Sequence, residues 1–181
     1  TNGVGVMASQ FFGAKNVDAF RKNLSTACFT LLGAGILITI LGVLTSRPLL
    51  AGLLQADASI LDDALLYLRI YCIGLVFQFA YNTFAAILRS IGDSRSTMYF
   101  LLIATVVNIV LDLIFVQFWQ VAGVAWATVI AQAVSAITAG IYLFRKVELA
   151  KFQKGQFRFH KEMFTMSLRL GVPTSIQQCS V

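Results

Sequence analysis

The hydrophobic pattern of the chain is dominated by long stretches without a charged side chain, from Leu24 to Ser46, from Ile70 to Leu88 and from Leu113 to Phe144. A helix needs about 20 apolar residues to cross the roughly 30 Å hydrocarbon core of a bilayer. The first two stretches therefore each predict one transmembrane helix. The third is too long for a single crossing that begins at Leu113, so we expect it to contain a turn.

The turn is predicted where polar and aromatic side chains interrupt the third stretch, at Gln117–Gln120. Aromatic residues with a polar edge favour the membrane–water interface, and the nearby Gly123 is typical of a turn. The pattern thus predicts two helices, at about Thr97–Gln117 and Val121–Phe144.

Shorter segments complete the predicted organisation. They are the end of a helix at Thr1–Phe12, a loop at Lys15–Asn23, an outer segment with room for a short interfacial helix at Leu49–Asp63, a tight turn at Arg89–Arg95, a linker at Arg145–Thr165 and the start of another helix at Met166–Val181. The complete spans on either side of the outer segment are predicted at Leu24–Thr45 and Ala64–Leu88. Because both terminal segments are apolar helices cut short, we expect the chain to be truncated at both ends.

The composition supports an all-α polytopic membrane protein. Hydrophobic residues make up 58% of the 181 positions, charged residues make up 12%, and the mean hydropathy is +0.79. These values are far from those of soluble domains. Cys28, Cys72 and Cys179 lie in apolar segments without a CxxC spacing, so we interpret them as small packing residues and expect neither a disulfide nor a cysteine metal site.

The net charge of +6 is distributed in a way that predicts topology rather than nucleic-acid binding. Most of the 14 basic residues fall in or beside alternate loops, at positions 15, 21, 22, 89, 95, 145, 146, 151, 154, 158, 161 and 169. The opposite side carries Arg47, Asp57, Asp62 and Asp63, with Arg69 just inside the next helix and able to extend back to the surface. By the positive-inside rule the basic loops, at 15–23, 89–95 and 145–165, are predicted to be cytoplasmic, in a multi-pass protein of the plasma or inner membrane.

Asp112 is the only charged residue between Ser96 and Phe144. A charge at mid-bilayer costs about 2.5–3.5 kcal/mol, so such residues usually face a bundle interior and indicate a functional site. Asn108 lies four residues earlier, which places both side chains on one helical face. An amide oxygen and a carboxylate are hard ligands that suit Na⁺, and the carboxylate also binds a proton. The alternative is that both residues simply hydrogen-bond neighbouring helices.

Two further polar stripes lie on adjacent spans: Gln78 with Asn82, and Thr128 with Gln132 and Ser135. Polar groups surrounded by lipid need each other or water, so these helices are predicted to enclose an internal cavity. Gln78 and Asn82 equally fit a hydrogen-bonded contact between two helices.

The predicted linker combines basic residues with Phe152, Phe157, Phe159 and Phe164. This pattern suits an amphipathic helix on anionic headgroups and, equally, a solvated connector. His160, the single histidine, lies in the linker and is interpreted as a loop residue rather than a proton relay.

Three motifs follow one another along the chain: L-R-S-I-G-D-S-R at Leu88–Arg95, N-I-V-L-D at Asn108–Asp112 and A-G-V-A-W-A-T at Ala122–Thr128. The flanking S-Q-F-F-G-A-K-N at Ser9–Asn16 and L-R-L-G-V-P-T at Leu168–Thr174 agree with them. In this combination and order the motifs strongly resemble the multidrug and toxic compound extrusion (MATE) transporters, over the whole chain.

The resemblance implies a twelve-helix antiporter of two six-helix lobes that exports organic cations, drugs or other amphipathic compounds in exchange for Na⁺ or H⁺ by alternating access. Residues 1–144 would supply the end of helix two and helices three to six of the N-lobe, residues 145–165 the inter-lobe linker and residues 166–181 the start of helix seven. By the same resemblance, Asn108 and Asp112 contribute to an N-lobe cation or proton site that Thr128 joins, and a first-helix aspartate that normally completes it lies outside this sequence.

We assign four residues of the polar stripes to the substrate cavity: Gln78, Asn82, Gln132 and Ser135. The expected partners are small-molecule substrates and the lipid bilayer, without nucleic acid. We expect no cofactor besides the coupling ion, and a monomer.

Three other classes of protein fit the sequence less well than a MATE transporter does. Lipid or polysaccharide-precursor flippases share the architecture, but their pyrophosphate-linked substrates need a basic cavity, and the spans contribute only Arg69 near one end. An intramembrane enzyme needs paired aspartates, a Ser/His pair or a metal-ligand cluster within the spans, and the sequence has one aspartate and no histidine there, so the protein is predicted not to be an enzyme. In a purely structural subunit, replacing Asp112 with Asn would be silent.

Overall fold

The computed structural model describes residues 2–48, 50, 58–147 and 158–179. Helices occupy most of this part: α1 (Asn2–Gly13), α2 (Val17–Pro48), α3 (Ala58–Ser90), α4 (Ser94–Lys146) and α5 (Lys161–Cys179). Three of them, α2, α4 and the part of α3 from Leu61, are long and apolar enough to cross a membrane. The predicted all-α membrane fold is therefore confirmed, and α3 packs against both α2 and α4.

Helix α4 is a hairpin of two spans rather than a straight rod. Its backbone leaves helical geometry at Gln120, with φ 45° and ψ −121°. In a straight helix residues 115 and 123 would be about 12 Å apart along the axis, yet a Cβ added at Gly123 would collide with the carbonyl oxygen of Phe115. The rings of Phe100 and Tyr142 also meet, with centroids 5.4 Å apart. The predicted turn is thus confirmed, and it divides α4 into a first arm (94–119) and a second arm (121–146).

A buried apolar cluster lies where α1, α2, α3 and the second arm of α4 meet. We call this region the basic end, because Lys15 in the turn at 14–16, Arg89 and Arg95 beside the turn at 91–93, and Arg145 and Lys146 at the end of α4 lie there. One apolar cluster forms there, and five of its large side chains are at most 1% exposed: Phe20, Leu24, Ile87, Leu88 and Leu143. Contacts of this kind supply most of the stability of a packed bundle.

A hydrogen-bonded carboxylate ties the α3–α4 turn to the second arm. Asp93 caps α4 by accepting from the backbone N–H of Ser96 at 3.1 Å. Its other oxygen accepts from the hydroxyl of Tyr142 at 2.8 Å. Burial favours a higher pKa for Asp93, but the hydrogen bonds from Tyr142 and Ser96 outweigh it, so the pKa lies below its ordinary value of 3.8.

Two buried hydroxyl groups of α2 hold the main chain that leads into α5. The Ser25 hydroxyl donates to the carbonyl oxygen of Arg158 at 2.8 Å, and the backbone N–H of His160 donates to the Thr26 hydroxyl at 3.2 Å. Ser25 and Thr26 are 0% and 2% exposed. The chain is therefore fixed against α2 before α5 begins.

Helix α5 then crosses α1 closely. A Cβ added at Gly3 would collide with the carbonyl oxygen of Ser167, and it would lie 3.0 Å from the Cα of Gly171. The Ser167 hydroxyl also donates to the sulfur of Met7 at 3.2 Å. The contact depends on the missing side chain of Gly3, as small residues allow between membrane helices.

The helices extend further than the sequence predicted. Helix α2 begins at Val17, where a loop to Asn23 was expected; α3 begins at Ala58 rather than Ala64; and α5 begins at Lys161 rather than Met166. The turn predicted at 89–95 spans only 91–93. Of the linker predicted at 145–165, residues 145–146 belong to α4 and residues 161–165 to α5, and only 147 and 158–160 of the rest are described. Charged residues show where the membrane ends, but a helix satisfies its own backbone and continues into water.

Some predictions fall outside the described residues. These include most of the outer segment at Leu49–Asp63, together with Phe152 and Phe157 of the linker. Phe159 is 51% exposed and its ring contacts that of Phe164, with centroids 5.6 Å apart. Cys28 and Cys72 are buried free thiols, in agreement with their interpretation as packing residues.

Candidate functional site

The first arm of α4 has one shielded face. Eight large apolar side chains on its other faces are between 44% and 64% exposed: Leu101, Leu102, Ile103, Val106, Ile109, Val110, Leu113 and Ile114. In contrast, Ala104 is 8% exposed, and Asn108, Asp112 and Phe115 are partly buried at helical spacing from it. The four-residue spacing therefore does place Asn108 and Asp112 together on the inner face.

Three polar atoms of α4 are buried without a hydrogen-bond partner: Nδ2 of Asn108, Oδ1 of Asp112 and Oε1 of Gln132. Leaving such an atom unpaired costs about 1–3 kcal/mol, and more when the group is charged. Native structures keep few of them, and each one needs a reason, such as an ion or a ligand. All three belong to residues that the sequence singled out as site candidates.

The hairpin sets these residues at matching depths. Asp112 and Thr128 each lie eight positions from Gln120, and Asn108 and Gln132 each lie twelve positions from it. At 1.5 Å per residue, the first pair is about 12 Å from the turn and the second about 18 Å. Both levels fall near the middle of a roughly 30 Å hydrocarbon core. The turn thus brings polar residues that are distant in sequence to the same two levels of the bundle.

Gln132 lies against α3 at a glycine. A Cβ added at Gly74 would be 2.6 Å from Oε1 of Gln132 and 3.1 Å from a methyl carbon of Val129. Gly74 itself is buried. Below it, Ile70 packs with Ala125 and Val129 in an apolar cluster. The polar head of Gln132 is therefore held between two tightly packed helices.

Thr128 and Ser135 use their hydroxyl protons within the second arm. Thr128 donates to the carbonyl oxygen of Val124 at 3.1 Å, and Ser135 donates to that of Gln132 at 2.9 Å. Each hydroxyl oxygen still has a lone pair with which to accept a hydrogen bond or to bind a cation. Ser135 is 4% exposed, whereas Thr128 is partly buried.

Gln78 and Asn82 follow Gly74 along α3 at steps of four, so the three residues lie near one face of that helix. Gln78 is exposed and Asn82 is partly buried. Because Gly74 touches the second arm, this face of α3 lies beside the hairpin. The assignment of both residues to a substrate cavity remains a prediction.

The arrangement offers oxygen ligands with one negative charge in an apolar surrounding. A carboxylate, an amide and a threonine hydroxyl can replace the water around Na⁺, and the carboxylate alone can take up a proton. Two grooves in the described part, of about 720 and 420 Å³, lie instead at the basic end, beside the start of α5 and the α1–α2 turn. Neither is bordered by Asn108 or Asp112.

The sequence did not indicate Gly74. A single glycine within a span is common, and its partner depends on how two helices are rotated against each other. The one available signal was its position four residues before Gln78, on the polar stripe of α3.

Comparison with known proteins identifies the family. The MatE family model matches residues 1–114, which is more than half of the 181 residues. The chain belongs to the MatE family. Proteins of this family are transporters rather than enzymes, built as twelve-helix bundles of two lobes, and they span the plasma membrane several times. The resemblance of the chain to MATE transporters is therefore confirmed.

Relatives of the MatE chain include the "Probable multidrug resistance protein YoeA" of Bacillus subtilis (strain 168), which is 30% identical over 190 residues. That alignment covers 99% of this chain and 41% of YoeA. The "Multidrug export protein MepA" of Staphylococcus saprophyticus is 29% identical over 175 residues, covering 94% of this chain and 38% of MepA. The MatE chain therefore spans about two fifths of the length of these proteins.

Solved structures agree with this fold. An inward-facing conformation of "a multidrug resistance MATE family transporter of the MOP superfamily" matches with a TM-score of 0.89 and 25% identity, over 98% of this chain and 41% of that one. An outward-facing conformation of such a transporter matches with a TM-score of 0.87 at the same identity, over 98% and 40%. The helices of this MatE chain thus superpose on both conformations.

Proposed function

We propose that the full-length protein carrying this chain is a secondary antiporter that exports organic cations, drugs or other amphipathic compounds in exchange for Na⁺ or H⁺. The chain supplies most of the N-lobe, the inter-lobe linker and the first turns of the C-lobe. Asp112 and Asn108 bind the coupling ion together with Thr128. Gln78, Asn82, Gln132 and Ser135 line the substrate cavity.

The observation that carries this proposal is the burial of Asp112 Oδ1 without a partner on the inner face of the first arm, which Asn108 shares. An unpaired carboxylate in an apolar surrounding is costly, and a cation or a proton removes that cost. The multidrug names of YoeA and MepA support the substrate class.

Exchange follows if the ion binds the two conformations of the transporter with different affinities. A site changes a conformational equilibrium only by that difference, and each tenfold difference corresponds to about 1.4 kcal/mol. Na⁺ and H⁺ compete for Asp112, because both neutralise the same carboxylate. Neutralisation stabilises the conformation that releases substrate, and loss of the ion on the other side of the membrane resets the cycle.

Charge favours a cationic substrate over the pyrophosphate-linked substrates of flippases. In the described residues of the two arms of α4 between Ser96 and Phe144, Asp112 is the single charged side chain. Arg69 is exposed near the start of α3 and donates to Ser46 at 3.4 Å. The α4 hairpin therefore contributes one acidic and no basic side chain between Ser96 and Phe144.

The test is efflux of a fluorescent organic cation from cells that express the full-length protein with Asp112→Asn. Imposed Na⁺ and H⁺ gradients are compared separately, at equal expression. We expect coupled efflux to fall at least tenfold, because Asn cannot exchange a charge. The gradient that drives the unmodified protein identifies the ion.

The matched control is Asp63→Asn, which removes the same charge from an exposed position near the start of α3. Its efflux should equal that of the unmodified protein. Undiminished efflux of Asp112→Asn under both gradients would show that Asp112 has only a structural role.

A further inference from the structure

The turns at 14–16 and 91–93 of the basic end share one backbone structure. In each, the N–H of the middle residue donates to a carbonyl oxygen three positions earlier, and the N–H of the last residue donates to one five positions earlier, at 2.9 to 3.1 Å. This pair of hydrogen bonds is the Schellman motif, whose middle residue takes the left-handed conformation. The last residue, Asn16 or Asp93, then caps the next helix by accepting from the N–H three positions on, at 3.1 Å.

The two turns differ in the residue that takes the left-handed conformation. It is Gly92 in one turn, with φ 88°, and Lys15 in the other, with φ 54°. Glycine adopts this conformation freely, whereas a residue with a Cβ is strained in it. A Cβ added at Gly92 would meet nothing within 4 Å, so glycine serves there for its backbone freedom alone. Lys15 therefore holds a position that suits glycine better, and such retained strain indicates a use for the side chain.

Lys15 borders a groove of about 420 Å³ at the α1–α2 turn, a volume within the range of small-ligand sites. Three phenylalanines line the same groove: Phe11, Phe12 and Phe20. Phe20 is 1% exposed and belongs to the buried cluster, whereas Phe12 is 41% exposed. The groove thus has an apolar wall fixed in the core of the basic end, and an open edge at which Lys15 is exposed.

Asn16 adds a second donor to the groove, which it also lines. Its Oδ1 atom accepts from the backbone N–H of Ala19, so its Nδ2 group is the part that can donate to a ligand. An ammonium group and an amide N–H are both donors for phosphate oxygens, and the charged one forms the stronger hydrogen bond. Asp18, the nearest carboxylate along the chain, does not line the groove.

The order of these groups matches that of a lipid at a membrane surface. Phe11 and Phe12 are the last apolar residues of α1, and Lys15 follows them in the turn. The positive-inside rule puts this turn on the cytoplasmic side, where the leaflet contains anionic lipids that attract basic residues. The phenyl rings are therefore placed to contact an acyl chain, and Lys15 to contact the headgroup above it.

We propose that the α1–α2 turn binds one anionic phospholipid of the cytoplasmic leaflet. Lys15 binds the headgroup phosphate with help from Asn16, and the acyl chain lies against Phe11, Phe12 and Phe20. The strain at Lys15 is retained because glycine at this position would remove the charge that selects the lipid. This site goes beyond the proposed antiport and does not depend on it.

The experiment identifies the lipid at this one position of the full-length protein. Phe12 is replaced by the photoreactive residue p-benzoylphenylalanine, and the protein is placed in nanodiscs of equal parts phosphatidylglycerol and phosphatidylcholine. Mass spectrometry then gives the ratio of the two lipid adducts after illumination. The same replacement at Phe118, which is 75% exposed beside the turn at Gln120, reports the bulk ratio. We expect phosphatidylglycerol to be enriched about fivefold at position 12 over position 118, the factor for one basic residue at a membrane surface.

Variants of Lys15 show whether its charge causes the enrichment. Lys15→Gly should bring the ratio at position 12 down to the bulk ratio, and Lys15→Arg should keep the enrichment. Lys22→Gln is the matched control, because it removes the same charge from an exposed position of α2 that does not line the groove. It should leave the ratio unchanged. An equal loss in Lys22→Gln would assign the enrichment to general attraction by the basic end and overturn the proposal.

Thermal unfolding in neutral detergent tests the argument from strain. Lys15→Gly should raise Tm, because glycine relieves the left-handed conformation, and Gly92→Lys should lower it by making the reverse change in the matching turn. A lower Tm for Lys15→Gly would show that the folded protein itself needs the side chain, and would overturn the proposal. So would equal lipid ratios at positions 12 and 118, or adducts of position 12 with another segment of the protein instead of lipid.

Discussion

The basic end and the middle of the α4 hairpin differ in whether their buried polar groups have hydrogen-bond partners. At the basic end Ser25, Asp93 and Tyr142 all have hydrogen-bond partners, and the surrounding cluster is almost fully buried. In the middle of the hairpin, Asp112 and Gln132 carry buried atoms without partners. The polar groups named at the basic end are thus paired within the protein, whereas those in the middle are left unpaired, as the proposed ion site requires.

This difference fits the proposed function, in which a well-packed base supports a site that responds to ligands. Stability varies across a protein, and elements that move or bind are drawn from its less stable parts. Perturbations of the basic end should therefore lower the stability of the protein, and perturbations of the middle should change transport with little effect on stability.

The largest expected effect sharpens this comparison within one helix. Leu24, at the basic end of α2, is 0% exposed, and Leu44, near the other end, is 71% exposed. Leu24→Ala should lower the free energy of unfolding by about 2–5 kcal/mol, because it leaves a cavity, and Leu44→Ala by less than about 0.5 kcal/mol. Thermal unfolding of the purified full-length protein in detergent measures both, and similar shifts in Tm would contradict the division.

The turn of the hairpin gives the next effect. Gly123→Ala should cost about 1–3 kcal/mol, because the new methyl group forces the arms apart at the Phe115 carbonyl oxygen. Gln120→Gly should instead raise stability by about 1 kcal/mol, since φ 45° strains a side-chain-bearing residue. The same unfolding measurement distinguishes the two, and destabilisation by Gln120→Gly would show that its side chain is needed.

The smallest effect concerns the Asp93–Tyr142 hydrogen bond. Tyr142→Phe keeps the ring contact with Phe100 and removes the hydroxyl donor. We expect a loss of about 1 kcal/mol at neutral pH, less than for a fully buried charged pair because solvent screens Asp93.

The pH dependence of that loss tests its cause. The pKa of Asp93 is lowered in the folded protein, so its contribution is present above its ordinary value of 3.8 and disappears as the pH falls through the lowered pKa. The Tm values of Tyr142→Phe and the unmodified protein should therefore differ at pH 7 and converge below pH 3.8. A difference that stays constant with pH would assign the effect to packing alone.

The sequence predicted the spans and the turn well, because charge and hydropathy depend directly on the membrane. It misplaced helix ends such as Val17 and Lys161, since charge indicates the membrane boundary and helices continue beyond it. It also placed Asn108 and Asp112 correctly on one face, since a four-residue spacing has only one meaning in a helix.

The contact of Gly74 with Gln132 could not be predicted in the same way. It depends on the rotation of α3 against the second arm, which is determined by the packing of Ile70, Ala125 and Val129. Similarly, nothing in the spacing of Ser25 and Arg158 shows that one hydroxyl holds the other residue's carbonyl group. Contacts between distant segments depend on the whole packed bundle rather than on a local period.

The equal spacing of the site residues about Gln120 restricts how this turn can evolve. Connecting segments usually accept insertions and deletions. One residue added within a helical arm, between Asp112 and the turn or between the turn and Thr128, would shift the site residue of that arm by about 1.5 Å and rotate it by about 100° relative to the turn. Asp112 and Thr128 would then no longer lie at the same level. The lengths of these two helical segments should therefore be as constrained as the residues of the site itself.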